Sequence, residues 1–185
     1  MPRSLDRDER LAAVSQAAWR VLSRQGIEAL SVRNVAAEAG LAPSSLRYVL
    51  PTQASVRVHA IELVVERFSE RVNALDRSRE DWARAALAEL LPLDDERRLE
   101  VRVFVSLGAA ALTSEDLSAA FERAFAATRK ICAKALRSLG RPASHVEVAR
   151  LHALLDGLAV HMLHQDVRAD SRWALKVLDA HLRSG

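Results

Sequence analysis

The chain has 185 residues, half of them hydrophobic, with 27 basic and 24 acidic side chains and a net charge of +3. That apolar share is enough for a real core, yet no apolar run reaches the ~18 residues a membrane span needs, and MPRSLDRDER at the start has no apolar signal region. One cysteine, Cys132, excludes an internal disulfide and suits a reducing cytosol, where it reads as a small core residue.

The first predicted helix covers residues 6–25. Asp6 and Glu9 have capping-box spacing, and Leu11, Val14, Ala18, Val21 and Leu22 form one apolar stripe that Gly26 ends. Trp19 reads as packing. Arg3 stands on an arm before the helix, within reach of a phosphate. Residues 31–53, SVRNVAAEAGLAPSSLRYVLPTQ, then place two short helices around a turn at Gly40. Ser31 caps the first, whose inner face is Val32, Val35, Ala36 and Ala39. Pro43 suits the first position of the second, whose apolar face is Leu46, Val49 and Leu50, and Pro51 stops it. This is the shape of a helix-turn-helix, whose second helix enters the DNA major groove. Arg33, Pro43, Ser44, Ser45, Arg47 and Tyr48 lie off the apolar stripe, and residues 41–53 contain no acid that would repel phosphate. Placement carries this reading, because residues 1–53 hold seven arginines against five acids and net charge alone would not indicate nucleic acid.

GLAPSSLRYVL at 40–50, after SVRNVA at 31–36 and with Ala17, Ala18, Leu22 and Gly26 upstream, resembles the DNA-binding domain of the TetR family of bacterial transcription regulators. The resemblance covers roughly residues 8–60. It implies double-stranded operator DNA as partner. Ser31 and Arg33 would contact DNA at the helix start, Arg33 on a base or phosphate, Pro43, Ser44 and Ser45 would face base edges, and Arg47 and Tyr48 would meet phosphates or bases. Two departures stand out. Leu50 replaces a usual aromatic, and Gln53 replaces a usual lysine, so Gln53 can hydrogen-bond a phosphate without bringing charge. The aromatic often found at the Arg47 position stands one place on, at Tyr48.

A long fourth helix is predicted over 52–76, capped by Thr52, with Val56, Ile61, Leu63, Val64, Phe68, Val72 and Leu75 as apolar positions. It runs without a flexible linker from a reading domain, residues 1–52, into an effector-binding and dimerisation domain, residues 53–185. Five more helices follow. Ser78 and Asp81 have capping-box spacing before Trp82–Leu91, Asp94 or Asp95 opens the next, Thr113 and Asp116 the next, Ser144 and Glu147 the next, and Asp170 the last. No alternating strand pattern occurs, so the expected fold is all-α with about nine helices.

In the helix at 145–165, Leu151, Leu154, Leu155, Leu158 and Met162 share one stripe, and Gly157 would let a second helix approach closely. The last helix offers Trp173, Val177, Leu178 and Leu182. Two such helices can close the chain's own core or pair with a second copy as a four-helix bundle. The resemblance implies the second, a homodimer, and DGLAVHMLHQ at 156–165 weakly resembles the BetI-type branch. Six of the eight aromatics lie beyond the reading domain, and Trp82, Phe104, Phe121 and Phe125 in the middle helices are the candidate lining of a largely apolar pocket for a small-molecule effector. No enzyme is expected. GxSxG, P-loop and GxGxxG motifs are absent, and no glutamate has a histidine three residues on. His161 and His164 could share a metal but lack a third ligand in sequence, so no metal or cofactor is expected. The expected function is a cytoplasmic DNA-binding regulator, most simply a repressor released by a small molecule. A helical ligand-binding or structural bundle without a DNA role is the alternative.

Overall fold

A computed structural model describes residues 7–166 and 170–183. Among these the regular structure is helical throughout: α1 Arg7–Gln25, a 3-10 turn Ile27–Ala29, α2 Val32–Glu38, α3 Pro43–Arg47, α4 Gln53–Ala74, α5 Trp82–Ala88, α6 Asp95–Ala111, α7 Glu115–Ser138, α8 His145–His164 and α9 Arg172–Arg183. The Asp6–Glu9 cap and the Arg3 arm lie outside the described residues.

Local chemistry accounts for most helix ends. The Ser31 hydroxyl accepts from Asn34 N at 3.2 Å, Asp94 from Arg97 N at 2.8 Å and Ser144 from Glu147 N at 3.3 Å. Thr52 and Ser55 form a reciprocal capping box. Three expected starts and stops differ. The Asp81 carboxylate pairs with Arg79 at 2.8 Å and Ser78 bonds Asp76, so α5 has no side-chain cap; it ends at Ala88, and single-turn bonds carry the chain through Leu90 and Leu91. Ser114, rather than Thr113, caps α7. And α3 stops at Arg47, because Pro51 cannot extend the helix and the chain tightens at Val49 into an i→i−3 bond with Leu46.

One core runs the length of the molecule, from Val14, Ala18 and Leu22 of α1 through Val56, Ile61 and Phe68 of α4 to Leu136, Leu151 and Leu178. Helix α4 is central. At 1.5 Å per residue its 22 residues span about 33 Å, packing on α1 at one end and on α6 and α7 along the rest. Polar links fasten it along its length. At the α1 side, Ser15 Oγ lies 3.0 Å from His59 Nε2, with His59 only 8 % exposed. Further along, Arg71 makes a bidentate pair with the buried Glu100 of α6 at 2.6 and 2.8 Å and reaches Glu89 at 2.9 Å.

The His59 link has a pH signature. Burial holds the imidazole below its ordinary 6.5, outweighing the upward pull of Glu62 and Glu66. Below pH 6.5 the unfolded chain binds a proton that the folded chain resists, so stability falls as pH drops through that value. His59→Gln should flatten the acid limb of a denaturant-melt series between about pH 7 and 5. An unchanged limb would show that other groups set it.

Candidate functional site

The end of the molecule built by α2, α3 and the start of α4 is held from behind. Gly40 takes φ +67°, which lets Leu41 N bond back to Ala36 O at 2.9 Å and closes α2 with a Schellman-type turn. Leu46 is fully buried and anchors α3. The acid of α2, Glu38, is taken by α1: Arg20 Nε pairs with it at 2.6 Å and Arg24 at 3.6 Å. The Gln53 amide of α4 donates to Leu30 O, tying the base of α4 to the residue before the Ser31 cap.

That packing sends the remaining side chains outward. Arg33, Pro43, Ser44, Arg47, Tyr48 and Gln53 are exposed and Ser45 is half-buried. Tyr48 is 82 % exposed, a large ring with almost no cover in the free chain. Ser31 is half-buried with its hydroxyl committed to the cap, and Gln53 already donates internally, leaving its second amide hydrogen for a phosphate. The outward face carries two guanidinium groups, hydroxyls and a phenol. It has the donors that phosphates and base edges accept.

Deeper in the chain, α4, α6, α7 and α8 line a half-open cavity of about 290 Å³. Phe104, Phe121 and Phe125 line it in a row, ring centroids 5.2 and 5.8 Å apart, and Phe68 of α4 joins them. Trp82 does not. It is 5 % exposed in the core beyond the cavity, with the Arg77 guanidinium 5.8 Å from its ring, so it leaves the candidate pocket set. Sequence reasoning missed Glu89, Arg97, Glu100 and Asp156, which also line the cavity. Glu100, an acid standing between the apolar Leu99 and Val101, was the available signal.

The expected dimer stripe needs correction as well. Leu151, Leu155, Leu158 and Met162 of α8 close the chain's own core against α6 and α7, Leu178 of α9 closes it against α5 and α8, all five are 0–5 % exposed within the single chain, and Leu154 is half-buried. The five buried side chains cannot face a partner without unfolding. The open face of α8 is its other side: Val146, Ala149, Arg150, Ala153, Asp156, Gly157, Val160 and His161. A Cβ built on Gly157 meets nothing within 4 Å. Beside it α9 presents Val177 and Ala180, exposed, and Trp173, half-buried 6.3 Å from the His161 ring. His164 bonds Val160 O, and among the described residues no group of three His, Cys, Asp or Glu could hold a metal.

Residues 79–185 match the family described as BetI-type transcriptional repressor, C-terminal, and residues 15–48 match bacterial regulatory proteins of the tetR family. The chain belongs to the TetR family. It is 31 % identical over its whole length to the HTH-type transcriptional regulator PksA of Bacillus subtilis, covering 93 % of that protein. Among solved structures, a transcriptional regulator from Rhodococcus sp. Rha1 aligns over 92 % of both chains with a TM-score of 0.78 and 25 % identity. The multidrug binding protein EbrR, complexed with ethidium, aligns over 95 % of this chain and 99 % of its own, with a TM-score of 0.71 and 27 % identity. The helix-turn-helix at residues 31–53 is thus that of a TetR-family DNA-binding transcription regulator, and no described helix is long and apolar enough to cross a membrane.

Proposed function

We propose that the chain is a homodimeric, cytoplasmic repressor that reads a palindromic operator with residues 31–53 and lets go when a small molecule fills the α4–α6–α7–α8 cavity. It works by binding and catalyses no reaction. Residues 1–52 form the reading unit, and residues 53–185 bind the effector and the second copy. The observation that carries this is the double duty of α4. Its first residue, Gln53, is tied to Leu30 at the base of the reading unit, and Phe68, further along the same helix, lines the cavity. Arg67 adds a lateral tie. Its guanidinium lies 4.1 Å over the Trp19 ring of α1 and pairs with Glu96 and Glu100 of α6. A ligand that fits one tilt of α4 better than another shifts the spacing of two reading heads, by no more than its difference in affinity for the two states. The ethidium-bound structure of EbrR supports a small-molecule effector for this fold.

Two substitutions test the DNA face. Arg47 is an exposed cation in the last turn of α3, so Arg47→Ala should weaken operator and non-operator DNA alike and reduce the salt slope by about one unit. Ser45→Ala should leave non-specific binding nearly intact and relax base preference, since base contacts rather than phosphate contacts carry sequence information. Titrations at several salt concentrations read both effects. Wild-type affinity and preference in both variants would place α3 outside the groove.

A further inference from the structure

The cavity opens on one side only. Its walls on α4 and α7, from Val64 and Phe68 to Phe121, Phe125 and Thr128, are buried or half-buried. The lining residues that reach solvent are Val105 of α6 and Asp156 and Val160 of α8, so the mouth lies between those two helices. Each lip continues into an exposed strip. On α6, Val105, Ala109 and Leu112 stand at i, i+4 and i+7, and Leu112 is 87 % exposed. On α8, Ala149, Ala153, Asp156 and Val160 stand at i, i+4, i+7 and i+11, with Gly157 alongside. That second strip is the small-residue face of α8. One lip of the cavity is therefore part of the surface on which a second copy would sit.

We propose that the effector site is shared between two copies: the second copy, seated on the open face of α8, closes the mouth and supplies the outer wall, so that a bound effector is enclosed only in the dimer. This rests on the effector and homodimer readings given above. Packed helices lie 8–10 Å axis to axis, and small residues at the contact favour the short end of that range. From Ala153 to Val160 is about 10 Å along α8, so a helix seated on Ala153 and Gly157 also meets Val160 at the mouth. The apolar rim has the same implication. Val105 and Val160 are 42 % and 38 % exposed in the single chain, and with Leu112 and with Val177 of α9 they form apolar surface that marks a docking face. Two-fold pairing brings the same face from both sides, so each copy closes the cavity of the other. The arrangement couples two equilibria. An effector that binds the dimer more tightly than the single chain must strengthen the dimer by the same factor for each cavity filled. Loss of operator binding then comes from two copies held together with their reading heads re-spaced, and the dimer does not split.

The test uses N-phenyl-1-naphthylamine, an uncharged dye that fluoresces in apolar surroundings. Its affinity for the full-length protein is measured in the wild type, in Ala149→Arg and Val177→Arg, and in Phe104→Ala. Ala149 and Val177 are exposed in the single chain and do not line the cavity, so these two substitutions oppose pairing without entering the site. Sedimentation and thermal melts follow assembly and folding. The dimeric wild type should bind the dye about ten-fold or more tightly than either folded monomer, and Phe104→Ala should weaken binding in the dimer. Saturating dye should in return strengthen wild-type self-association by about ten-fold or more, a measurement that needs no variant. Monomers that bind as tightly as the wild type, or wild-type self-association unmoved by the dye, overturn the shared site and leave the effector cavity standing. Variants that stay dimeric place the second copy elsewhere and also overturn it. Dye binding that Phe104→Ala does not change overturns the cavity reading, and the shared site with it.

Discussion

Gly157→Arg should turn the dimer into a folded monomer and lower operator affinity by about 10³-fold or more, to the non-specific level. The position is suited to this. Gly157 lies on the exposed face of α8, and a Cβ there has open space in the single chain, so the substitution meets no intrachain neighbour at its first atom. Replacing glycine inside a helix should even add about 0.5–1 kcal/mol to the stability of the monomer. Against a second copy the same arginine is costly. Ala149, Ala153 and Gly157 stand at i, i+4 and i+8, a strip of small residues flanked by Val160, Val177 and Ala180 that permits close helix approach. Seating an arginine side chain in that strip sets its bulk against the facing helix of the second copy and forces the two apart. Loss of pairing removes the second reading head, and with it half of a palindromic site. Sedimentation and gel shift, run side by side with a thermal melt, read the three consequences. A variant that stays dimeric, or a monomer that keeps operator affinity, would reject this face. Leu155→Arg is unsuitable for the purpose, since Leu155 is 2 % exposed and the change would unfold the chain itself.

The second large effect belongs to Arg71. It faces the buried Glu100 with two hydrogen bonds, and Glu100 is 4 % exposed. Arg71→Met leaves that carboxylate with Arg67 at 3.4 Å alone, and breaking a buried pair from one side costs about 3–5 kcal/mol. For a chain of this size that corresponds to a melting point lower by about 2–4 °C for each kcal/mol. The paired change Arg71→Met with Glu100→Leu should recover most of the loss, because a hydrophobic pair of similar volume replaces a costly ionic one. Denaturant melts of the two variants decide it. A single variant within about 1 kcal/mol of wild type would mean the pair is solvated and contributes little.

The reading unit was legible in the sequence because its signals are local. Ser31, Gly40, Pro43 and Pro51 each act on their own stretch of backbone, and an acid-free face can be read from residues 41–53 alone. The far half was legible as helices but not as faces. Leu151, Leu155, Leu158 and Met162 form an apolar stripe whether it closes against α6 and α7 or against another copy, and periodicity cannot distinguish the two. Of the small residues opposite, Gly157 was legible as a point of close approach, whereas Ala149 and Ala153 beside it carry no signal of their own. Trp82 shows the same limit: an aromatic in a middle helix counts equally toward core and cavity until its neighbours are known. Glu100 is the reverse case. Its meaning depends on Arg71 and Arg67, which are brought beside it only by the packing of α4 on α6.

In the proposed repressor two copies present α3 to successive turns of one DNA face. Selection of bound sequences from a random duplex pool measures this directly. The expected result is an inverted repeat with half-site centres separated by one helical turn, about 34–36 Å, or a multiple of it. A pool that yields no enriched sequence, or a single unrepeated half-site, would contradict it.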